Sequence, residues 1–427
     1  MKHIQSDIPL TLPVTAQDRL LYHMKAIIHV LVSFDQHLDA GILQRAVRLS
    51  LDAEPVLGCR FVEEDPQPHW QRFEALDEMQ WLACSIPDHK DEAIERFIKD
   101  SFFHEEQQLN VGLFQTEGGD TLCVKISHGC SDASGLNDYL KLLAGIYTRL
   151  LENPNYYPPP HTSGCRDQQN YFTALGISDP LARFDPQTPV TPPKWAFPHH
   201  GRETNQMHIA RRRLKNEALD RIISFANDHN VTVTAVLLTA MFRSLFEMLE
   251  SPRGEEFGIG VTMDLRHRFS GNPDQAICNL SLGISPCITC LEEESFGETL
   301  QRASGALEEL KQNNAELVDA IAVEASAKLD YSAFLAQIQA VLQWAADNGK
   351  ANPLLSNIGV INPINFSHCQ ATDVYLLTPA VIPPSFVMAV STYNRTLTLE
   401  VSYYEPAHRR EDIEAFLDLM VRELRSL

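Results

Sequence analysis

Basic residues are scarce in this chain: 35 lysines and arginines stand against 56 aspartates and glutamates, a formal net charge of −21 at pH 7. Such a surface repels nucleic-acid phosphates and anionic membranes as a whole, which argues against a nucleic-acid partner and leaves room only for a local basic pocket. Long apolar runs are missing too. No stretch of about 18 apolar residues occurs, so no membrane span is expected. The opening segment, residues 1–7, has no apolar signal core, and the expected location is cytoplasmic. Nine cysteines, odd in number and irregularly spaced, read as reduced thiols in that compartment. Cys287 and Cys290 form a lone Cys-x-x-Cys. The missing second pair favours structural thiols over a zinc or redox site. What the chain does have is core material. Its 427 residues are 44% hydrophobic and 21% charged, which excludes disorder as the main state and allows two or three structural units or one two-lobed fold.

Apolar periodicity gives a coarse map. Residues 26–34, AIIHVLVSF, form a β-branched run that predicts a buried strand. Asp39 stands where a helix cap belongs, before Ile42, Ala46, Leu49 and Leu51, and Pro55 stops that helix. Leu57–Val62 and His69–Phe73 predict a strand pair around Asp65-Pro66, and residues 91–103 a helix. Val111–Thr116 and Thr121–Ser127 predict a hairpin, followed by a helix over Gly135–Leu151. The pattern then breaks. Residues 151–200 hold ten of the 25 prolines and read as a crossover segment. Beyond it, strands are predicted at Met207–Leu214, Phe257–Asp264, 279–290, Leu355–Ile361, Val374–Leu377, Phe386–Tyr393 and Thr396–Tyr404. Helices are predicted at Asn216–Asp228, Thr234–Glu250, Phe296–Asn313, Ser332–Ala346 and 411–425. The expectation is an α/β protein of two lobes: 1–160, a proline-rich linker 161–204, and 205–427, with a ligand site between them.

One segment carries chemistry. Ile126-Ser127-His128-Gly129-Cys130-Ser131-Asp132-Ala133-Ser134-Gly135 lies between a predicted strand and a predicted helix. A loop of small residues there can present the His128 imidazole into a cleft, where it can accept and return a proton near neutral pH. Asp132 can bend the loop or anchor it by an ion pair. Alone, His-x-x-x-Asp is a short motif that chance often produces, and an isolated pair is more often structural. Other readings compete. Gly129-Cys130-Ser131-Asp132-Ala133 imitates the Gly-x-Ser-x-Gly elbow of hydrolases with Ser131 as nucleophile, but its last glycine is missing. Cys130 is a reactive thiol or a small loop residue. His199-His200 is a solvated loop pair, or a metal site lacking further ligands. Arg211-Arg212-Arg213-Leu214-Lys215 alternates between the faces of a strand, which suits a structural role, the alternative being contact with the phosphates of coenzyme A or phosphopantetheine.

The order of motifs resembles the condensation-domain and HxxxD acyltransferase superfamily. AIIHVLVSFDQHLDAGILQRAVRLSLDAEPVLGCRF is similar to its amino-terminal strand and helix, VTVTAVLLTAMFRSL to the helix opening its second lobe, VTMDLRHRF to its Asp-x-Arg strand and SNIGVI to its Ser-Asn-x-Gly strand. The resemblance spans nearly the whole chain and includes stand-alone polyketide-associated and alcohol acyltransferases. Three departures stand out: Ser127 replaces the first His of HHxxxDG, Ala133 replaces its Gly, and no DFGWG-like segment of the plant enzymes occurs. If position 133 needs a positive φ, alanine there would cost roughly 1 kcal/mol or shift the turn. The resemblance implies two chloramphenicol acetyltransferase-like α/β sandwich lobes with mixed sheets and an inter-lobe tunnel. It implies an acyltransferase of secondary metabolism, monomeric, that moves an acyl group from an acyl-CoA or an acyl carrier protein to a small alcohol or amine acceptor. The thioester, on coenzyme A or phosphopantetheine, is a co-substrate; no permanent cofactor or metal is expected. His128 would be the general base, Asp132 a structural residue paired with Arg266, and Asn357 and Ser391 candidate tunnel residues, each with a strand-stabilising alternative. A catalytically silent scaffold or carrier-docking member of the same fold is the alternative function.

Overall fold

A computed structural model describes residues 8–63, 67–162, 166–185, 191–268 and 276–427. The predicted turn at Asp65-Pro66 lies outside them. The sequence builds two six-stranded sheets. The first runs in the order Asn365–Phe366, Cys369–Leu377, Ile27–Phe34, Gly119–Ser127, Leu109–Thr116, Leu82–Ser85, antiparallel except for the last pair. Side chains alternate across its faces. Ile28, Val30, Val32 and Phe34 join Leu43 and Ala46 of helix Ala40–Ala53 and Leu136, Leu140 and Leu143 of helix Ala133–Glu152 in one core. Leu31 faces the other way and packs with Phe97 and Ile98 of helix Lys90–Lys99. A sheet covered on both faces needs apolar residues at consecutive positions, which is why residues 26–34 read as an unbroken run.

The second sheet runs Ser281–Ile284, Gly260–Asp264, Leu354–Val360, Val387–Tyr393, Thr396–Pro406, Thr204–Lys215, with Leu354–Val360 parallel to both its neighbours. Helix Val233–Met248 is apolar on nearly every side, so it must be enclosed. It lies in the second core with helices Phe296–Gln312 and Arg410–Arg425 packed on the same cluster. Capping follows the sequence: Asp39 Oδ1 accepts the Ile42 N–H at 2.9 Å, and Thr232 Oγ1 accepts the Ala235 N–H at 3.2 Å. Among the described residues, no single helix is long and apolar enough to cross a membrane.

The first sheet crosses the boundary at residue 205. Cys369–Leu377 leaves the carboxy-terminal segment and pairs antiparallel with Ile27–Phe34. There it buries Val374 and Leu376 in the first core and Tyr375 and Leu377 on the opposite face, and it covers what would otherwise be an open sheet edge. The described residues of segment 161–204 are anchored rather than slack: they contain helix Gln169–Ala174, and Trp195 and Phe197 are buried in the second core. The arginine run fastens the lobes. Arg213 pairs with Asp373 and Arg211 lies over the Tyr375 ring at 4.7 Å, while Arg212 turns to the outer helix, bonding Asp418 at 2.7 Å and pairing with Glu414. Each of these three arginines is thus engaged by protein groups, which fits the structural role.

Candidate active site

Strand Gly119–Ser127 is buried along its whole length and central in its sheet, so its end is rigidly placed. The loop that follows is hydrogen-bonded almost residue by residue. The His128 N–H donates to Ala26 O (2.9 Å), the Cys130 N–H turns back to Ser127 O (3.1 Å), and the Asp132 N–H reaches Cys278 O (3.2 Å) on the segment leading into the second sheet. Two glycines permit this path. A Cβ on Gly129 would stand 2.9 Å from the Tyr22 Cα, and one on Gly135 would stand 2.5 Å from Ser131 Oγ. Ala133 is the first residue of helix Ala133–Glu152 and is not among the residues with positive φ. The strain considered for alanine at this position is absent, and the tight approach falls on Gly135 instead.

Asp132 is buried, 2% exposed, and does three things. Its Oδ1 accepts the Gly135 N–H at 2.8 Å and so caps the helix; its Oδ2 accepts from the Leu280 N–H at 2.8 Å and from Arg266 Nη1 at 2.7 Å. Arg266 also donates to Asp264 Oδ1 (3.1 Å) and Cys278 O (3.0 Å). Burial would depress this guanidinium, but the adjoining Asp132 carboxylate overrides it and holds the pKa above the ordinary arginine value. Ser134 Oγ donates to Asp264 Oδ2 at 2.7 Å, a second tie between the loop and the second sheet. The structure thus brings Asp132 and Arg266 into direct contact across the lobes.

His128 is half-buried. Its Nδ1 lies 3.1 Å from Asn279 Oδ1, and its Nε2 has no partner among the described residues. Behind Asn279 stands a buried polar group. Asn279 Nδ2 donates to Asp18 Oδ1 at 3.4 Å, and Asp18 Oδ2 accepts from Trp70 Nε1 (2.9 Å) and Arg166 Nη1 (2.8 Å). Arg166 further donates to Cys130 O (3.2 Å) and Ile277 O (3.0 Å). Asp18 is carried by helix Ala16–His23, whose start is a reciprocal cap between Thr15 and Asp18. Sequence reasoning missed Asp18, Arg166 and Asn279. The Thr15-x-x-Asp18 spacing and the lone asparagine within the apolar stretch AICNLSLGI were the only signals.

A cavity of about 410 Å³ lies between the lobes, bounded by the Asp132–Ser134 end of the loop and by strands Gly260–Asp264 and Leu354–Val360. Thr262, Ser281, Ser356, Asn357, Arg268 and Lys311 line it; His128 and Ser391 are not among its lining residues. Asn357 is also a strand-shaping residue. Its Nδ2 donates to Thr234 Oγ1 (2.9 Å) and its Oδ1 accepts the Gly359 N–H (3.1 Å), at an irregularity in the pairing with Val387–Tyr393. Ser391 is buried within Val387–Tyr393, in register with Gly359 and Thr398. Its place is in the sheet, which fits the strand-stabilising alternative.

The competing sites fare poorly. Ser131 is fully buried and its Oγ donates to Asp132 O at 3.0 Å, so it is no exposed nucleophile. Burial pushes the Cys130 thiol far up, which suppresses its thiolate. Cys287 and Cys290 are free thiols, and His200 bonds Asp412 at 3.2 Å. Among the described residues, no group of three or more His, Cys, Asp or Glu could hold a metal ion.

No curated protein matches the sequence. Among solved structures, the chain is similar to trichothecene 15-O-acetyltransferase from Fusarium sporotrichioides (TM-score 0.70, 12% identity, 98% of this chain and 95% of that one). It is also similar to the first condensation domain of the CDA synthetase (0.69, 12%, 98% and 97%). A third similar structure is polyketide synthase associated protein 5 from Mycobacterium tuberculosis (0.66, 14%, 97% and 98%). At these identities the likeness is one of fold, and it extends over both lobes. The family model for the condensation domain matches residues 10–267, a span that holds the helix of Asp18, the His128 loop and Arg266. With the two-lobed architecture and the loop both in place, this chain belongs to the condensation-domain family.

Proposed function

We propose that the protein is an acyltransferase that uses an acyl thioester, carried on coenzyme A or on the phosphopantetheine arm of a carrier protein, and acylates a small alcohol or amine, with His128 as general base. The observation that carries this reading is the state of His128: one ring nitrogen is held by a buried amide, the other has no partner among the described residues, and the loop is clamped between the lobes. His128 Nε2 takes the acceptor proton as the acceptor oxygen or nitrogen attacks the thioester carbonyl. The carbon–oxygen or carbon–nitrogen bond forms, the carbon–sulfur bond then breaks, and the imidazolium returns its proton to the leaving thiolate. General-base assistance of this kind is worth about 10²–10⁴ in rate. Holding donor and acceptor together on either side of the loop adds to it. No acyl-enzyme is formed, in keeping with the buried state of Ser131 and Cys130.

The inter-lobe cavity supports a thioester donor. A pantetheine arm is a chain of amides ending in a phosphate, and the cavity offers hydroxyls from Thr262, Ser281 and Ser356, the amide of Asn357, and the side chains of Arg268 and Lys311, which pair with Glu316 and Glu308 at its edge. Asp132 and Arg266 act on the reaction through the loop: they hold the turn that carries His128. The test is mass spectrometry after incubation with a panel of acyl-CoAs and acyl carrier proteins against pooled small alcohols and amines. Ester or amide product with release of free thiol is expected. Absence of product from every donor, with the protein folded, would overturn the reading.

A further inference from the structure

We infer that Asn279 is a positioning residue that sets the tautomer of His128, and that the buried Arg166–Asp18 pair sets Asn279. This rests on the reading of His128 as general base and adds what makes the base competent. The argument runs from the buried end outward. Asp18 is wholly buried and takes donors only: Arg166 at 2.8 Å, Trp70 at 2.9 Å, the Thr15 N–H at 3.3 Å and the Asn279 amide at 3.4 Å. A carboxylate held against a guanidinium accepts and does not donate. The group that Asn279 turns toward Asp18 must therefore be its NH₂; the flipped amide would set its carbonyl oxygen against the carboxylate. Asn279 is fully buried, so no solvent relieves that repulsion. With NH₂ inward, the carbonyl oxygen is what meets His128, at 3.1 Å from Nδ1. A carbonyl oxygen can only accept, so the neutral imidazole carries its proton on Nδ1 and its lone pair on Nε2. Nε2 is the nitrogen with no protein partner among the described residues. The chain Arg166–Asp18–Asn279–His128 thus fixes which ring nitrogen can abstract a proton.

The same arrangement separates two jobs that one carboxylate often performs. The motif aspartate, Asp132, is committed to Arg266, Leu280 and Gly135. Orienting the ring falls to a residue from the second-lobe segment, so the competent tautomer exists only when the lobes are assembled. Arg166 supports this twice, by pairing with Asp18 and by donating to Cys130 O within the His128 loop.

Nitrogen NMR of protein labelled at histidine, with the His128 signals assigned by loss in His128→Gln, reads the tautomer directly and independently of activity. In the wild type with a neutral His128 ring, Nδ1 should be protonated and Nε2 bare. In Asn279→Ala the preference should shift toward the Nε2-protonated form, and acyl transfer should fall by about tenfold or more, mainly in kcat, as expected when a general base is in the wrong protonation pattern. Asp18→Asn gives a second route: an amide at position 18 can donate, the Asn279 amide is then free to flip, and the Nδ1-protonated form should lose its dominance. A wild-type spectrum with His128 protonated on Nε2 overturns the inference even if no variant folds. An unchanged tautomer in a folded Asn279→Ala overturns it as well. If the spectra behave as stated while His128→Gln retains full acyl transfer, the tautomer assignment stands and the general-base reading falls.

Discussion

Breaking the contact between Asp132 and Arg266 should reveal a strongly coupled pair. Asp132→Ala removes a helix cap, worth about 1 kcal/mol, and strands the Leu280 N–H. It also leaves Arg266 in a site where its side chain is 15% exposed. Removing one partner of a buried pair costs about 3–5 kcal/mol, and the lower end applies here because Arg266 keeps Asp264 at 3.1 Å and Cys278 O at 3.0 Å. The expected total for Asp132→Ala is about 4 kcal/mol. Arg266→Ala leaves Asp132 with two backbone donors and should cost less, about 2 kcal/mol. The double variant leaves neither Asp132 nor Arg266 facing an empty place, so its cost should fall short of the sum by about 2 kcal/mol. Equilibrium urea unfolding followed by circular dichroism on the four proteins of the cycle measures this. Costs that add to within about 0.5 kcal/mol would refute the claim that this contact ties the loop to the second lobe.

Two further outcomes follow from buried groups. Glu400 is fully buried, and burial pushes its pKa from 4.5 up to about 7 against hydrogen bonds from Ser402 and Thr378 and the charge of Arg211. The folded state then keeps a proton that the unfolded chain releases near pH 4.5, so this stability is present below that pH and is lost as pH rises toward 7. Glu400→Gln keeps partners for Thr378 and Ser402, and its stability relative to wild type should rise by up to about 3 kcal/mol between pH 4.5 and 7 and stay flat above; a pH-independent difference would contradict it. Gly135→Ala should destabilise by about 1–3 kcal/mol through the clash with Ser131 Oγ, and Ser131→Ala in the same chain should recover most of the loss, as read by thermal unfolding.

The parts legible in the sequence are those whose information is local. The His128–Asp132 loop is one contiguous motif between a strand and a helix, and Arg266 sits in a short Asp-x-Arg motif; their pairing was implied by the resemblance of the motif order to a family, while Arg266 read alone is a surface arginine. Strand 26–34 was visible because both its faces are covered. Cys369–Leu377 was only half visible: its first residues alternate between buried and exposed and include polar Gln370, Thr372 and Asp373, so only the continuously buried end stands out. That this strand pairs with Ile27–Phe34 is a property of the assembled sheet, and periodicity carries no such information. Asp18, Arg166 and Asn279 were hidden for a related reason. They come from a helix of eight residues, a proline-rich crossover and an apolar strand-like stretch, and only tertiary packing joins them. A polar residue in an apolar run signals that a partner exists without saying which.

The most direct test of the central claim is the rate of acyl transfer by His128→Ala under single-turnover conditions, with the fold checked by circular dichroism and with Ser131→Ala and Cys130→Ala measured alongside. A loss of at least about a hundredfold for His128→Ala, with most activity kept in the other two, is the predicted result. Acyl transfer by His128→Ala at near wild-type rate, or a dead Ser131→Ala together with an acyl ester trapped on Ser131 Oγ of the unsubstituted protein, would contradict it.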